Sequence, residues 1–154
     1  MSQNIEKNKN IELSTFYVGD ALCGLDILKI QEINKIMERT PVPQAPAYVL
    51  GVLNLRGQIV TIIDLGRKLG LGTTEITDDT RNIIVRSSDG ATGFLVRNIS
   101  EVVEMDQSEI EKAPANMKGI QGKYFSGVFK TKTSIIGVLD AEEVLAFTEG
   151  EGDR

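Results

Sequence analysis

The sequence predicts a mainly β protein in which two copies of one small unit, each of about five strands with a terminal helix, pack on a shared core. Three observations carry this prediction. Short runs of Val, Ile and Leu alternate with polar residues and are punctuated by turn residues, among them 15 glycines, as in a chain of many short strands. The stretch from Gly51 to Leu65 reads as an apolar strand, a sharp reversal at Asn54 to Gln58, and a second apolar strand stopped by Asp64. Finally, the chain repeats itself. Gly24-Leu25, Ile27, Ile30 and Glu32-Ile33 recur as Gly93-Phe94, Val96, Ile99 and Glu101-Val102, an offset of 69. Tyr48, Gly51-Val52-Leu53, Ile59-Val60, Ile62-Ile63-Asp64 and Leu69 recur as Tyr124, Gly127-Val128-Phe129, Ile135-Ile136, Val138-Leu139-Asp140 and Leu145, an offset of 76. The second copy therefore carries seven more residues in its long loop. A unit of about 70 residues has little core of its own, so the two copies are expected to share one.

In chain order, residues 1–11 are polar and read as a flexible tail. Glu12 to Val18 and Ala21 to Ile27 read as strands around a Gly19-Asp20 turn. Lys29 to Met37, with Ile30, Ile33 and Ile36, is ambiguous between a helical turn and a strand. Arg39 to Pro46 holds three of the four prolines and is expected to be a loop. After the central hairpin, Asp64 is placed to cap a short helix through Leu69, with Gly70 closing it. Thr73 to Asp79 is a polar connection. Arg81 to Arg86, Thr92 to Val96 and Ser100 to Met105 read as strands, and Ser108 to Glu111 as a capped helical turn. Pro114 to Lys123 is loop-like, Phe125 to Thr131 and Ser134 to Asp140 form a last hairpin, and Ala141 to Thr148 a closing helix. Residues 149–154 are charged and expected to be flexible.

The totals narrow the function. A net charge of -5 argues against nucleic acid, whose binding surfaces are basic. No apolar run approaches the roughly 20 residues of a membrane span, and the N-terminus lacks the apolar segment of a signal peptide. One cysteine makes no internal disulfide, so the cytoplasm is the expected compartment. There is no histidine, which removes the commonest general base and metal ligand. The lysine of Gly66-Arg67-Lys68-Leu69-Gly70 precedes the glycines that a phosphate loop would place before it. The acids Glu101, Glu104, Asp106, Glu109 and Glu111 lack calcium-loop spacing. Neither catalytic residues nor a cofactor or metal are therefore expected. Two rivals stay open: a small enzyme using Glu32, Asp64 or Cys23, and an oligonucleotide-binding barrel.

What remains is surface. Positions that both copies share serve the fold, and positions where they differ are free to be specific. At the hairpin tip Asn54-Leu55-Arg56-Gly57-Gln58 stands opposite Lys130-Thr131-Lys132-Thr133-Ser134. Arg56 thus matches Lys132 and Glu32 matches Glu101, which predicts a Glu32–Arg56 pair across the sheet. Ile30 and Ile33, with Ile99 and Val102 as counterparts, are more apolar side chains than one tiny barrel needs. Some of them are expected to line a groove between the lobes.

Gly24-Leu25-Asp26-Ile27-Leu28-Lys29-Ile30-Gln31-Glu32-Ile33, Pro41-Val42-Pro43, Gly51-Val52-Leu53-Asn54-Leu55-Arg56-Gly57 and Ile62-Ile63-Asp64-Leu65 closely resemble the CheW family of bacterial chemotaxis coupling proteins. The resemblance runs from about residue 12 to 147 and departs at Thr61, where the family often has proline. It implies one CheW-like domain over 12–148, built as two SH3-like five-stranded β-barrels, with approximate lobes 12–79 and 80–148. It implies a non-enzymatic cytoplasmic adaptor that joins the histidine kinase CheA to the cytoplasmic tip of chemoreceptors, with no nucleic acid and no membrane insertion of its own. The family's paired acid and base fall on Glu32 and Arg56, and its receptor groove near Ile30, Ile33, Ile99 and Val102. Asn54, Leu55 and Gly57 complete the candidate contact set at the hairpin tip.

Overall fold

A computed structural model describes residues 10–87, 90–113, 116–117 and 120–146. Twelve strands are present among them: β1 (Asn10–Val18), β2 (Ala21–Asp26), β3 (Ile30–Lys35), β4 (Val49–Leu55), β5 (Gln58–Asp64), β6 (Arg81–Ser87), β7 (Gly90–Val96), β8 (Asn98–Asp106), the two-residue pair β9 (Asn116–Met117) and β10 (Ile120–Gln121), β11 (Phe125–Lys130) and β12 (Ile135–Leu139). Two short helices follow the second hairpin of each half, α1 (Leu65–Leu69) and α2 (Ala141–Leu145). One five-stranded sheet, the first, has the order β3-β6-β7-β5-β4, and the second β11-β12-β2-β1-β8.

The repeat is visible in the register as well as in the order. Ile62 of β5 runs parallel to β7 opposite Gly93, and Val138 of β12 runs parallel to β2 opposite Gly24. Ile33 opposes Ile83 across β3 and β6, as Val102 opposes Ser14 across β8 and β1. Each edge strand also carries one extra residue at the same place, between Ile30 and Glu32 in β3 and between Ile99 and Val102 in β8. A β-bulge of this kind bends the strand and raises its twist, which helps a five-stranded sheet curl into a barrel. The first sheet is closed by a bridge from Thr40 to Val52 with two 2.8 Å hydrogen bonds, and the second by the same bridge from Glu111 to Val128.

The expected division into lobes 12–79 and 80–148 does not describe these sheets. The hairpin β1–β2 of the first half sits in the second sheet, and β6–β7 of the second half sits in the first. The physical reason is the connection after each first hairpin. Asp26 caps a 3-10 turn at Ile27–Lys29, which carries the chain out of one sheet before β3 starts in the other. The ambiguous stretch after Lys29 is thereby resolved: the turn lies at 27–29 and β3 begins at Ile30.

Among the described residues there are three apolar clusters. Leu53, Val60, Ile62, Ile84, Ala91 and Leu95 fill the first barrel. Leu13, Met105, Ile136 and Val138 fill the second. The largest lies between the sheets and draws Phe16, Val18, Cys23 and Leu25 from the second and Ile63, Ile83, Val85, Phe94 and Val96 from the first. It is the shared core that a repeat with too little interior of its own requires.

Smaller differences have local causes. β1 begins at Asn10, inside the stretch read as a tail, because its main chain pairs with Asp106 and Met105. The turn after β8 is a 3-10 turn at Gln107–Glu109 capped by Asp106, whose carboxylate outcompetes Ser108 and forms a capping box with Glu109. The loop-like stretch before β11 contains the β9–β10 ribbon. α2 ends at Leu145, earlier than Thr148, and residues 147–154 lie outside the described residues, as do residues 1–9 of the N-terminal stretch. No helix among the described residues is long and apolar enough to cross a membrane.

Candidate interaction site

The tip between β4 and β5 is a two-residue turn. Leu55 pairs with Gln58, leaving Arg56 and Gly57 to reverse the chain, both with left-handed backbone at φ 53 and φ 85. This is the turn geometry that follows the natural twist of paired strands. The Asn54 side chain reinforces it by accepting the Gly57 amide at 2.8 Å. A glycine suits the second position. Arginine at the first is unusual, because a side chain with Cβ pays roughly 1 kcal/mol in this region. Backbone strain held at one exposed residue points toward a use for that residue.

What Arg56 does within the molecule is grip Glu32. Its Nη2 donates to Glu32 Oε2, and Asn34 Nδ2 donates to Glu32 Oε1 at 3.4 Å. Beside them Gln31 Nε2 donates to Gln58 Oε1 at 3.1 Å. The bulge in β3 sets this up, since it turns Glu32 toward the barrel side and leaves Ile30 packed against the shared core. The Arg56 side chain is 67% exposed and that of Glu32 26%. A pair so open contributes about 0.5 kcal/mol at most, so its value lies in fixing the position of a cation on the surface. The predicted Glu32–Arg56 pair is present. No ion pair joins its counterparts Glu101 and Lys132 among the described residues. There the hairpin tip is a four-residue loop, closed by Thr131 N donating to Ser134 O at 2.8 Å, and Lys130 pairs with Glu111 at 3.4 Å instead.

The four apolar candidates divide into two kinds. Ile30 and Ile99 pack against the shared core. Ile33 and Val102 are 39% and 59% exposed, at equivalent places on the edge strands of the two sheets. Asn54 and Gly57 are exposed at the hairpin tip, and Leu55 packs partly against the interior of the first barrel.

The residues offered for catalysis are engaged elsewhere. Asp64, 1% exposed, accepts from Gly66 N at 3.0 Å, Thr74 N at 2.9 Å and Thr74 Oγ1 at 2.6 Å. These bonds make it a fastener between α1 and the loop behind it. Cys23 is buried in the shared core, and burial alone pushes its thiol up to about 12, far from a nucleophile. Among the described residues no cluster of His, Cys, Asp or Glu is arranged to hold a metal ion.

Two features escaped the sequence reading. Lys68 is buried on α1, with its Nζ 4.2 Å from the Tyr48 ring centre and 5.6 Å from that of Tyr124. Those tyrosines were matched by the repeat, but nothing in the spacing of Lys68 marks it as buried. It lines a groove of about 610 Å³ with Tyr48, Ile59, Ile63, Arg86 and Leu145. The second feature is a cross-strand pair of asparagines, the half-buried Asn34, whose Oδ1 is shielded, and the buried Asn82.

Comparison with known proteins accords with this architecture. The family profile described as CheW-like domain matches residues 12–149. The chemotaxis protein CheW of Treponema pallidum is 33% identical, over 92% of this chain and 86% of that one. The CheW of Helicobacter pylori is 32% identical, over 94% and 87%. The crystal structure of the scaffolding protein TtCheW from Thermoanaerobacter tengcongensis superimposes with a TM-score of 0.81 at 29% identity, covering 90% of this chain and 89% of that one. With its two interlocked SH3-like barrels and a match to the family over nearly its whole length, the chain belongs to the CheW-like family of chemotaxis scaffold proteins.

Proposed function

We propose that this protein is a cytoplasmic, non-enzymatic adaptor coupling chemoreceptors to the histidine kinase CheA in signalling arrays. The observation that carries the reading is Arg56: a cation held by Glu32 on a strained two-residue turn, exposed where the fold alone would be better served by glycine or asparagine. The contact set is Glu32, Asn54, Leu55, Arg56 and Gly57 at the hairpin tip, together with the apolar positions Ile30, Ile33, Ile99 and Val102. The latter offer an amphipathic receptor helix a place to lay its apolar face. Ile33 and Val102 meet it directly, and Ile30 and Ile99 support them from the core. The kinase's own homologous domain is taken at the barrel ends.

The test is kinase autophosphorylation in a mixture of receptor membranes, CheA and this protein, wild type against Arg56→Ala. Wild type is expected to activate the kinase, and the folded variant to lose receptor control. No effect of the wild-type protein with its cognate partners would remove the adaptor reading.

A further inference from the structure

We propose that Asn34 and the buried Asn82 form a cross-strand amide pair whose role is to hold the Glu32 carboxylate in place for Arg56. The role so assigned rests on the reading of Arg56 as a partner contact. The two residues lie directly opposite each other across β3 and β6. Asn82 is fully buried, and its side-chain oxygen and nitrogen both lack a hydrogen-bond partner, as does the buried Oδ1 of Asn34. The free groups are complementary: Nδ2 of Asn82 is a donor and Oδ1 of Asn34 an acceptor, on side chains whose Cβ atoms adjacent strands bring within reach of one another. Asn34 uses its own Nδ2 on Glu32 Oε1. Asn34 therefore stands between Asn82, opposite it across the sheet, and Glu32, which in turn holds Arg56 on the surface.

The repeat supplies the control. At the equivalent cross-strand place in the second barrel stand Leu13 and Val103, two apolar residues in the same register. The fold therefore accepts an apolar pair at this point, and a pair of amides is a poor choice for packing alone, because buried polar groups are unfavourable unless matched. The barrel with the amides is the one whose hairpin tip is clamped. In the barrel with Leu13 and Val103, the acid Glu101 has no ion pair with Lys132. The difference between the copies thus follows the difference in the clamp.

The test is the double substitution Asn34→Val with Asn82→Leu, which writes the second barrel's pair into the first. The variant is expected to fold with a thermal midpoint at or above that of the wild type. Its Arg56 side chain is expected to lose order, read as a fall in the Nε–Hε heteronuclear NOE. Binding to receptor vesicles with the kinase should weaken about fivefold in the Arg56 background, and not at all when Arg56 is already alanine. Glu32→Gln, which leaves the two asparagines in place, should produce the same loss of Arg56 order. Unchanged Arg56 order in the double variant, or equal weakening with and without Arg56, would overturn the positioning role. Loss of Arg56 order with unaltered binding would uphold the positioning and remove the partner contact.

Discussion

Replacing Asp64 by alanine should be several times more damaging than replacing Asp140, although the two occupy matching helix caps. Asp140 accepts one bond, from Glu143 N at 3.2 Å, in an exposed setting. Losing it costs about 1 kcal/mol or less, the usual value of a cap. Asp64 also caps its helix, through Gly66 N, but holds in addition the amide and hydroxyl of Thr74, and it does so from a buried position. Taking about 1 kcal/mol for the cap and about 1 for each of the two further bonds gives about 3 kcal/mol. With a urea slope near 2 kcal/mol per molar, the midpoint should fall by about 1.5 M for Asp64→Ala and by about 0.5 M for Asp140→Ala. The assay is urea unfolding of wild type and both variants at neutral pH, followed by circular dichroism. Equal shifts, or a loss of less than about 1 kcal/mol at Asp64, would refute the claim that this carboxylate fastens the loop after α1.

Two other perturbations separate the surface from the scaffold. Arg56→Gly removes both the strained Cβ and the exposed ion pair, so stability should stay within about 1 kcal/mol of wild type, while control of the kinase by receptor is lost in the reconstituted assay. Lys29 hydrogen-bonds Glu142 at 3.2 Å and, chiefly by that bond, holds its carboxyl below the usual value. A depressed folded-state value stabilises the protein above the ordinary carboxylate range and is lost as pH falls through it. Lys29→Ala should therefore move the Glu142 titration, followed by NMR, up toward the ordinary value. The wild type should exceed the variant in stability at neutral pH by less than about 0.5 kcal/mol, the pair being exposed, and match it in acid.

How far the chain could be read in advance depended on whether a feature was local or shared between distant strands. The cap at Asp64, the glycine that closes α1 and the two-residue turn at Arg56-Gly57 are set by residues within a few positions of one another. The pairing of Glu32 with Arg56 was accessible through the repeat and the family resemblance and not through local pattern, because 24 residues separate them. Their counterparts Glu101 and Lys132 do not pair, although the two tips are equally long in sequence, because the second tip closes differently, with Thr131 N on Ser134 O and Lys130 held by Glu111. The roles of Ile30 and Ile33 could not be told apart from spacing, because the bulge between Ile30 and Glu32 breaks the simple alternation. Which half contributes to which sheet was equally hidden. Alternation within a strand shows that it has two faces, and says nothing about its neighbour. The facing amides of Asn34 and Asn82 left no trace in hydrophobic pattern except as two polar residues on strands.

The exchange of hairpins between the halves bears on ancestry and on mechanics. A single copy of the unit supplies a hairpin, an edge strand and a second hairpin, but its first hairpin never joins the sheet of its other strands. Alone, such a unit would leave both parts with open edges, and a second copy would close them by reciprocal donation. The fold thus has the form of a swapped homodimer fused end to end, and its present asymmetry at Arg56 is a freedom that an obligate symmetric dimer would not have had. Fusion also means that neither barrel can unfold or swing without pulling strands from the other. A displacement imposed on one barrel would therefore reach the other through the strands they exchange.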